Sequence, residues 1–299
     1  MLPPQTVHLP FEPGPYRMAM GLVACPPTAL IELDDQYLPE MAERRALLDE
    51  RHGEVFAALP ESEAAAAEVL ATVADVLSIR FPGFFRRDGV MLHNHLTNES
   101  WSLADPPLAP LELAGRLVQE DLCVLLPGPE GPVLVAAVLC FPSRWSLAEK
   151  LGRKLAAVHG PVPFYAERLA RPVDRLLDQL RAGKLVQRLN WGLTDDPALF
   201  QPAGHGRRDL NERITAENAG ETLFLRVERQ TLSRLPASGA TLFTIRTHRY
   251  QLARFGRTPE VAGRLAEAVR AMPPEMQLYK SMLPFRAALL EWLDAQNTK

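Results

Sequence analysis

The chain has 299 residues, of which 47% are hydrophobic and 23% are charged, and its formal net charge is −3. These values are typical of a globular protein with a substantial core, and they exclude a disordered or fibrous chain. The slightly acidic charge also argues against a general affinity for nucleic acid. Three widely separated cysteines form no zinc-binding pair, and no segment has the pattern of a signal peptide or a membrane span, so we expect a cytoplasmic protein.

The first half of the chain predicts helices, one hairpin and one buried strand. Helix-forming residues and apolar side chains at helical spacing predict helices near 39–51, over 61–78 and over 108–126. Two short extended runs flank Thr97 and Asn98, and asparagine tolerates the positive φ of a hairpin turn. The apolar run VLVAAVLCF at 133–141 has the length of a buried strand.

The next predicted element is a helix over 147–159. Ser146 and Glu149 have the spacing of a capping box, and Gly160 followed by Pro161 is a typical helix stop.

His159 lies at the end of this predicted helix and is a candidate ligand. Helical spacing places it on one stripe with Leu151, Leu155 and Val158, so its imidazole faces an apolar space. Such a ring either satisfies its two nitrogens with a carbonyl and water at the helix end, or it binds a metal. The spacing alone leaves both interpretations open, although the prolines that follow would suit the rigid wall of a pocket.

The C-terminal half predicts most of a β-sheet. Alternating or apolar runs predict strands over 185–193, 222–232 and 241–250. Apolar periodicity predicts helices over 171–183, near 259–271 and near 284–295, and the polar segment 194–221 is predicted to be a loop. Together these elements predict an α+β fold in which helices surround an antiparallel sheet with long irregular loops.

Two further groups of residues are candidate sites. His93 and His95 would lie on one side of a strand and could chelate a metal, but an exposed strand explains them equally well. Glu228 and Arg229 alternate across a predicted strand, so one of them points inward, most simply in an ion pair. The sequence contains no GxSxG, GxxxxGK or GxGxxG pattern, which argues against the hydrolases and nucleotide-binding proteins that use them.

Several stretches together resemble one family over about residues 20–292. They are RFPGFF (80–85), LTNESWSL (96–103), LVQEDLCVL (117–125), FPSRWSLAEKLGRKLAAVHGPVPFY (141–165), VQRLNWGL (186–193), LRVERQTLSRLPASGATLFTIRT (225–247) and LYK (278–280). The pattern resembles the haem-dependent oxidative N-demethylase alpha-subunit-like family. The WSLAEKLG…VHGPVP and RVERQTLSRLP stretches are its most specific parts.

The resemblance implies a single domain over 1–299, with a PAS-like sheet that holds non-covalent haem b. Its parts would be an N-terminal helical region (about 1–80), the sheet core (about 88–250) and C-terminal helices (255–299). It also implies an enzyme: the haem-binding subunit of an oxidative N-demethylase, a monooxygenase that oxidises a small methylated amine and releases formaldehyde. Electrons would come from NAD(P)H through a separate flavin and iron–sulfur reductase, because this chain carries neither type of motif.

The resemblance also implies the site residues. His159, within VHGPVP, would be the axial ligand of the haem iron. Haem propionates need cations at the pocket mouth, and from RVERQTLSRLP we expect Arg229 and Arg234 to supply them. Motif position places the aromatic residues Trp145, Tyr165 and Trp191 near the cavity, and ordinary core packing explains each of them at least as well.

Two departures and two alternatives accompany this prediction. The resemblance implies glycine where this chain has Asn98 and Ser281, and the second change puts the local geometry and the substrate in question. The alternatives are a PAS-like haem sensor without turnover and a haem-free regulatory relative.

Overall fold

A computed structural model describes residues 1–297, and its ten strands form two antiparallel sheets. The strands are β1 Val23–Cys25, β2 Phe56–Ala58, β3 Phe85–Asp88, β4 Met91–Asn94, β5 Glu99–Ser102, β6 Asp121–Leu126, β7 Val133–Val138, β8 Leu185–Thr194, β9 Phe224–Arg234 and β10 Thr241–Gln251. Seven strands form the main sheet in the order β1-β8-β9-β10-β6-β7-β2, and β3, β4 and β5 form a separate small sheet.

Twelve α-helices in residues 1–297 surround these sheets, which confirms the predicted α+β class. The helices are α1 Tyr37–Glu50, α2 His52–Val55, α3 Glu63–Arg80, α4 Pro110–Gly115, α5 Leu155–Val158, α6 Tyr165–Arg168, α7 Ala170–Gln179, α8 Ala219–Thr222, α9 Ala253–Gly256, α10 Pro259–Ala271, α11 Pro274–Tyr279 and α12 Arg286–Asn297. None of the helices in this range combines the length and apolar character needed to cross a membrane. The PAS likeness and the three-part division of one domain stay predictions.

The main sheet separates two environments because successive side chains of a strand point to opposite faces. On β9, Arg226, Glu228 and Gln230 face a large cavity. The alternate residues of the same strand face the other side, where the apolar side chains pack against the core formed with the C-terminal helices. A second core lies between the sheet and α1, α3 and α4. The sheet therefore serves as the floor of the cavity and as one wall of both cores.

The predicted helix over 108–126 is wrong in its second half. Only Pro110–Gly115 is helical, and Asp121–Leu126 forms β6 between β10 and β7. A central strand is buried on both faces, so its sequence is continuously apolar and does not alternate. Such a run cannot be distinguished from a buried helix by periodicity.

The predicted helix over 147–159 is also wrong, since only Leu155–Val158 is helical. Gly152 adopts φ +72°, which ends any helix at that point. The amide of Gly152 then donates to the carbonyl of Leu134, and the amide of Leu134 donates to the carbonyl of Arg153. Pairing with the edge of β7 thus replaces the helical hydrogen bonds, and the expected cap at Ser146 does not form.

Other predictions from the sequence are confirmed within small shifts of their ends. The hairpin around Asn98 joins β4 to β5, and Asn98 has φ +55°. The predicted loop over 194–221 contains no element before α8, and the three predicted C-terminal strands are β8, β9 and β10.

Candidate functional site

A cavity of about 870 Å³ lies against the open face of the main sheet. Strands β6 to β10 form its floor, and residues 155–177, which include α5, α6 and most of α7, form one side. The N-terminal residues 10–20 form part of another side, where Phe11 packs edge-to-face on Trp191 with ring centroids 5.7 Å apart. Apolar side chains supply most of the lining, and a small number of polar groups project from the strands. Cavities of this size and character commonly hold organic ligands.

His159 lines this cavity and is held in one orientation. Its Nδ1–H donates to the carbonyl of Leu155 at 2.9 Å, and its ring stacks on Tyr165 with centroids 4.5 Å apart and planes 8° from parallel. Burial lowers the pKa of His159, so its ring is neutral near pH 7. In a neutral imidazole whose Nδ1 carries the proton, Nε2 keeps its lone pair. Within residues 1–297, no group forms a hydrogen bond to that nitrogen.

His205 is a second cavity-lining histidine, which sequence reasoning missed because it lies in the polar loop over 194–221. Its Nδ1 hydrogen bonds to the carbonyl of Tyr279 at 3.0 Å, and its ring stacks on the Tyr279 ring with centroids 4.6 Å apart. Ser281 holds this loop by donating its Oγ–H to the carbonyl of Gly204 at 2.7 Å. The GHG pattern at 204–206 was the available signal, because flanking glycines allow a histidine to be presented by a tight loop.

A polar network that includes the buried Glu228 occupies the floor of the cavity. The Glu228 carboxylate accepts hydrogen bonds from Gln230 Nε2 at 2.7 Å and from Asn190 Nδ2 at 3.2 Å. Lys280 Nζ donates to Asn190 Oδ1 at 3.2 Å and to the carbonyl of Trp191 at 2.5 Å. Burial lowers the pKa of Lys280 to about 8. The network therefore places the carboxylate of Glu228 and the amino group of Lys280 on the cavity floor, and Asn190 forms a hydrogen bond with each of them.

Two buried polar groups of the cavity, among residues 1–297, have atoms without a hydrogen-bond partner. Arg188, on β8, makes no hydrogen bond in the described part of the chain, and its Nε is buried. The hydroxyl of Tyr165 is buried and unpartnered as well, and burial raises the pKa of Tyr165 to about 12. Buried groups of this kind are uncommon in native proteins and often mark the place of a ligand or water.

The arginines of RVERQTLSRLP lie in three different places. Arg226 faces the cavity, but its guanidinium donates to Ser143 Oγ at 2.7 Å and to four backbone carbonyls. Arg229 lies on the opposite face, where it contacts Glu32, Gln187 and the carbonyl of Ala29.

Arg234 donates to the carbonyls of Leu177, Leu180 and Gly239. Neither Arg229 nor Arg234 lines the cavity. The alternation of side chains along β9 explains the position of Arg229, because its side chain must point away from those of Arg226 and Glu228. The structure thus does not bring these two predicted residues to His159.

Some of the remaining predicted residues line the cavity and others lie away from it. Trp145, Tyr165 and Trp191 all line the cavity. His93 bonds to Ser100 Oγ at 2.7 Å in the small sheet, away from the cavity. Ser281 has φ +52°, so it keeps the glycine-like backbone that the resemblance implied at this position.

The comparison with known families agrees with the sequence resemblance. The family described as haem-dependent oxidative N-demethylase, alpha subunit-like, matches residues 21–290. The match spans most of the chain, and the chain therefore belongs to this family.

Proposed function

Because the chain belongs to this family, we propose that the cavity binds haem b non-covalently and that Nε2 of His159 would hold its iron. The protein would then be the haem-binding subunit of an oxidative N-demethylase acting on a small methylated amine. The observation that carries this proposal is the fixed tautomer of His159. The carbonyl of Leu155 accepts a hydrogen bond from Nδ1 and so keeps the proton there, as the outer partner of a metal-bound histidine usually does. The lone pair of the ring is therefore on Nε2, and the ring lines the cavity.

The other residues of the cavity fit the same group. Its apolar walls suit a porphyrin face, and its volume of about 870 Å³ lies within the range of cofactor pockets. Arg188 supplies a guanidinium that makes no hydrogen bond in the described chain, which suits a propionate. Arg188 therefore replaces Arg229 and Arg234 as the proposed propionate ligand.

When bound, haem supplies the activation of O2 that oxidises an N-methyl carbon, with electrons from a separate flavin and iron–sulfur reductase. The chain's own contribution is to bind and orient the amine. Glu228 places a carboxylate on the cavity wall that attracts an ammonium group, and Asn190 and Gln230 hold that carboxylate in place. Apolar side chains supply most of the remaining lining of the cavity. Lys280 holds a proton at Nζ near this network.

The function is tested by haem uptake followed by turnover. Purified protein titrated with haemin should show a Soret band that saturates at one equivalent. With dithionite or a reductase, O2 and dimethylamine, it should then release formaldehyde. A saturating Soret band without formaldehyde from any small methylated amine would favour the sensor alternative. A protein that binds no haem would favour the alternative of a haem-free regulatory relative.

Replacing Arg188 with methionine should weaken haem binding about 10- to 100-fold, because a charge-assisted hydrogen bond contributes about 1.5–3 kcal/mol. The measurement is the haem dissociation constant from transfer to an apo-globin acceptor. Arg175→Met is a matched control, since Arg175 is exposed on α7 and does not line the cavity. Equal affinities in the two variants would remove Arg188 from the site.

A further inference from the structure

His8, Glu32 and His248 form a cluster on the face of the sheet opposite the cavity. His248 lies on β10, Glu32 precedes α1, and His8 belongs to the N-terminal segment. One ligand atom from each residue lies within 4.8 Å of the other two. We propose that this cluster binds a divalent first-row transition metal ion such as Zn²⁺. This site is independent of the haem proposal.

The geometry of the cluster is that of a three-residue metal site. His248 Nε2 lies 3.0 Å from Glu32 Oε2, and His8 Nε2 lies 4.0 Å from the same oxygen. Zinc binds imidazole nitrogen and carboxylate oxygen at about 2.0–2.2 Å, so the spacings require only a small inward rotation of the rings. Nε2 of His8 is buried and has no hydrogen-bond partner in the part of the chain described. Two imidazoles and one carboxylate favour zinc, cobalt or iron over magnesium or calcium.

The residues around the cluster hold the carboxylate and set its charge. Arg229 Nε lies 3.2 Å from Glu32 Oε1, so the other oxygen remains directed toward the two histidines. Burial disfavours the charged carboxylate, but the hydrogen bond from His248 and the charge of Arg229 outweigh it and lower the pKa of Glu32 to about 2. Burial lowers the pKa of His248 to about 4, and it also lowers that of His8. At neutral pH Glu32 is therefore a carboxylate and both imidazoles are neutral. Nε2 of His248 carries the proton that it donates to Glu32, so a metal bound at this nitrogen displaces that proton and requires the tautomer protonated on Nδ1.

The wider charge balance also favours a cation. The ion pairs and hydrogen bonds around Glu32 join five buried or half-buried carboxyl groups to three arginines: Glu32, Asp34, Glu40, Glu120 and Asp121 with Arg44, Arg229 and Arg246. The five acids outnumber the three guanidinium groups, although burial raises the pKa of Glu120 to about 7 and so reduces the negative charge of the group near neutral pH. Glu120 accepts a hydrogen bond from the amide of Glu32, and its second oxygen is buried without a partner. A cation beside Glu32 would offset part of the remaining negative charge.

A metal at this site would fasten one wall of the cavity. His8 lies two residues before Pro10, where the cavity-lining part of the N-terminal segment begins. The same segment is already tied to β10 by Tyr250, whose hydroxyl donates to the carbonyl of Thr6 at 2.6 Å. Metal binding to His8 and His248 would therefore hold residues 10–20 in their place against the cavity.

The test uses tag-free protein treated with EDTA, dialysed, and titrated with ZnCl2 against a chromophoric chelator. We expect one tight equivalent of Zn²⁺ and a Co²⁺ absorption spectrum typical of nitrogen and oxygen ligands. His8→Gln should weaken Zn²⁺ binding more than about 100-fold, because losing a ligand costs more than losing its outer partner. His8 lies in a segment without secondary structure, so this variant is expected to stay folded.

The matched control is His95→Gln, since His95 is an exposed histidine outside the cluster. His95→Gln should still bind one tight equivalent of Zn²⁺. Wild-type protein that binds no Zn²⁺ in competition with the chelator would overturn the proposal. Equal affinity in wild type and His8→Gln would overturn it as well, because the bound zinc would then lie elsewhere. Added Zn²⁺ should also raise the melting temperature of the wild type and not that of His8→Gln.

Discussion

Replacing His159 with alanine should give a folded protein whose affinity for haem falls by more than about 100-fold. The side chain lies at the cavity and its ring contacts Tyr165, so its removal enlarges an existing cavity and breaks no element. The measurement is a haemin titration followed at the Soret band, with circular dichroism as the check on folding. Added imidazole should restore a Soret band to the variant, because it can occupy the space of the lost ring.

His205→Ala is the matched control, because His205 also lines the cavity, bonds a backbone carbonyl through Nδ1 and stacks on a tyrosine. We expect it to keep haem with little change in affinity. If His205→Ala loses haem and His159→Ala does not, the axial ligand is His205 and the family motif VHGPVP has another role. If both single variants keep haem, the cavity holds it without either histidine as an essential ligand, and the proposal for His159 is wrong.

The structure places His159 at a cavity, but the helix from which the sequence pattern derived that position does not form, and the role of His159 as a ligand stays a prediction. The helix that was to align it with Leu151 does not form, and Leu151 does not line the cavity. Leu155 and Val158 do line it, because the short α5 preserves the last turn of the expected helix. The apolar spacing over one helical turn was thus sufficient to indicate that His159 faces an apolar space. The longer helix does not form because of Gly152 and because residues 152–153 pair with β7.

Most of the sheet could be predicted because its C-terminal strands alternate and are long. The sequence could not reveal which face of each strand would line the cavity and which would pack against the rest of the protein. Arg226 and Arg229 are three positions apart and look equivalent in a sequence, but one faces the cavity and the other faces Glu32. The long-range groupings were equally hidden, since His8 and His248 are brought together only by the docking of the N-terminal segment on β10.

Arg226 shows why a cavity-lining cation need not be a ligand for an anion. It is 6% exposed, and its guanidinium donates to the carbonyls of Phe141, Pro142, Ala198 and Leu199 at 2.8–3.1 Å. Burial lowers the pKa of Arg226 to about 10, so it remains charged near pH 7. Its hydrogen bonds join two chain segments, 141–143 and 198–199, beneath the cavity.

Arg226→Ala should therefore destabilise the protein by about 3–5 kcal/mol, since it leaves several buried carbonyls without donors. The measurement is guanidinium chloride unfolding followed by circular dichroism. Arg249→Ala is the control: Arg249 is the cross-strand neighbour of Arg226, and it donates from a more exposed position to the carbonyl of Pro197. That change should cost about 1 kcal/mol or less. If Arg226→Ala instead kept its stability and lost only haem affinity, Arg226 would bind a propionate and its bonds to the carbonyls would be dispensable. A large loss of stability with Arg249→Ala near wild type would identify Arg226 as the residue that holds the cavity floor together.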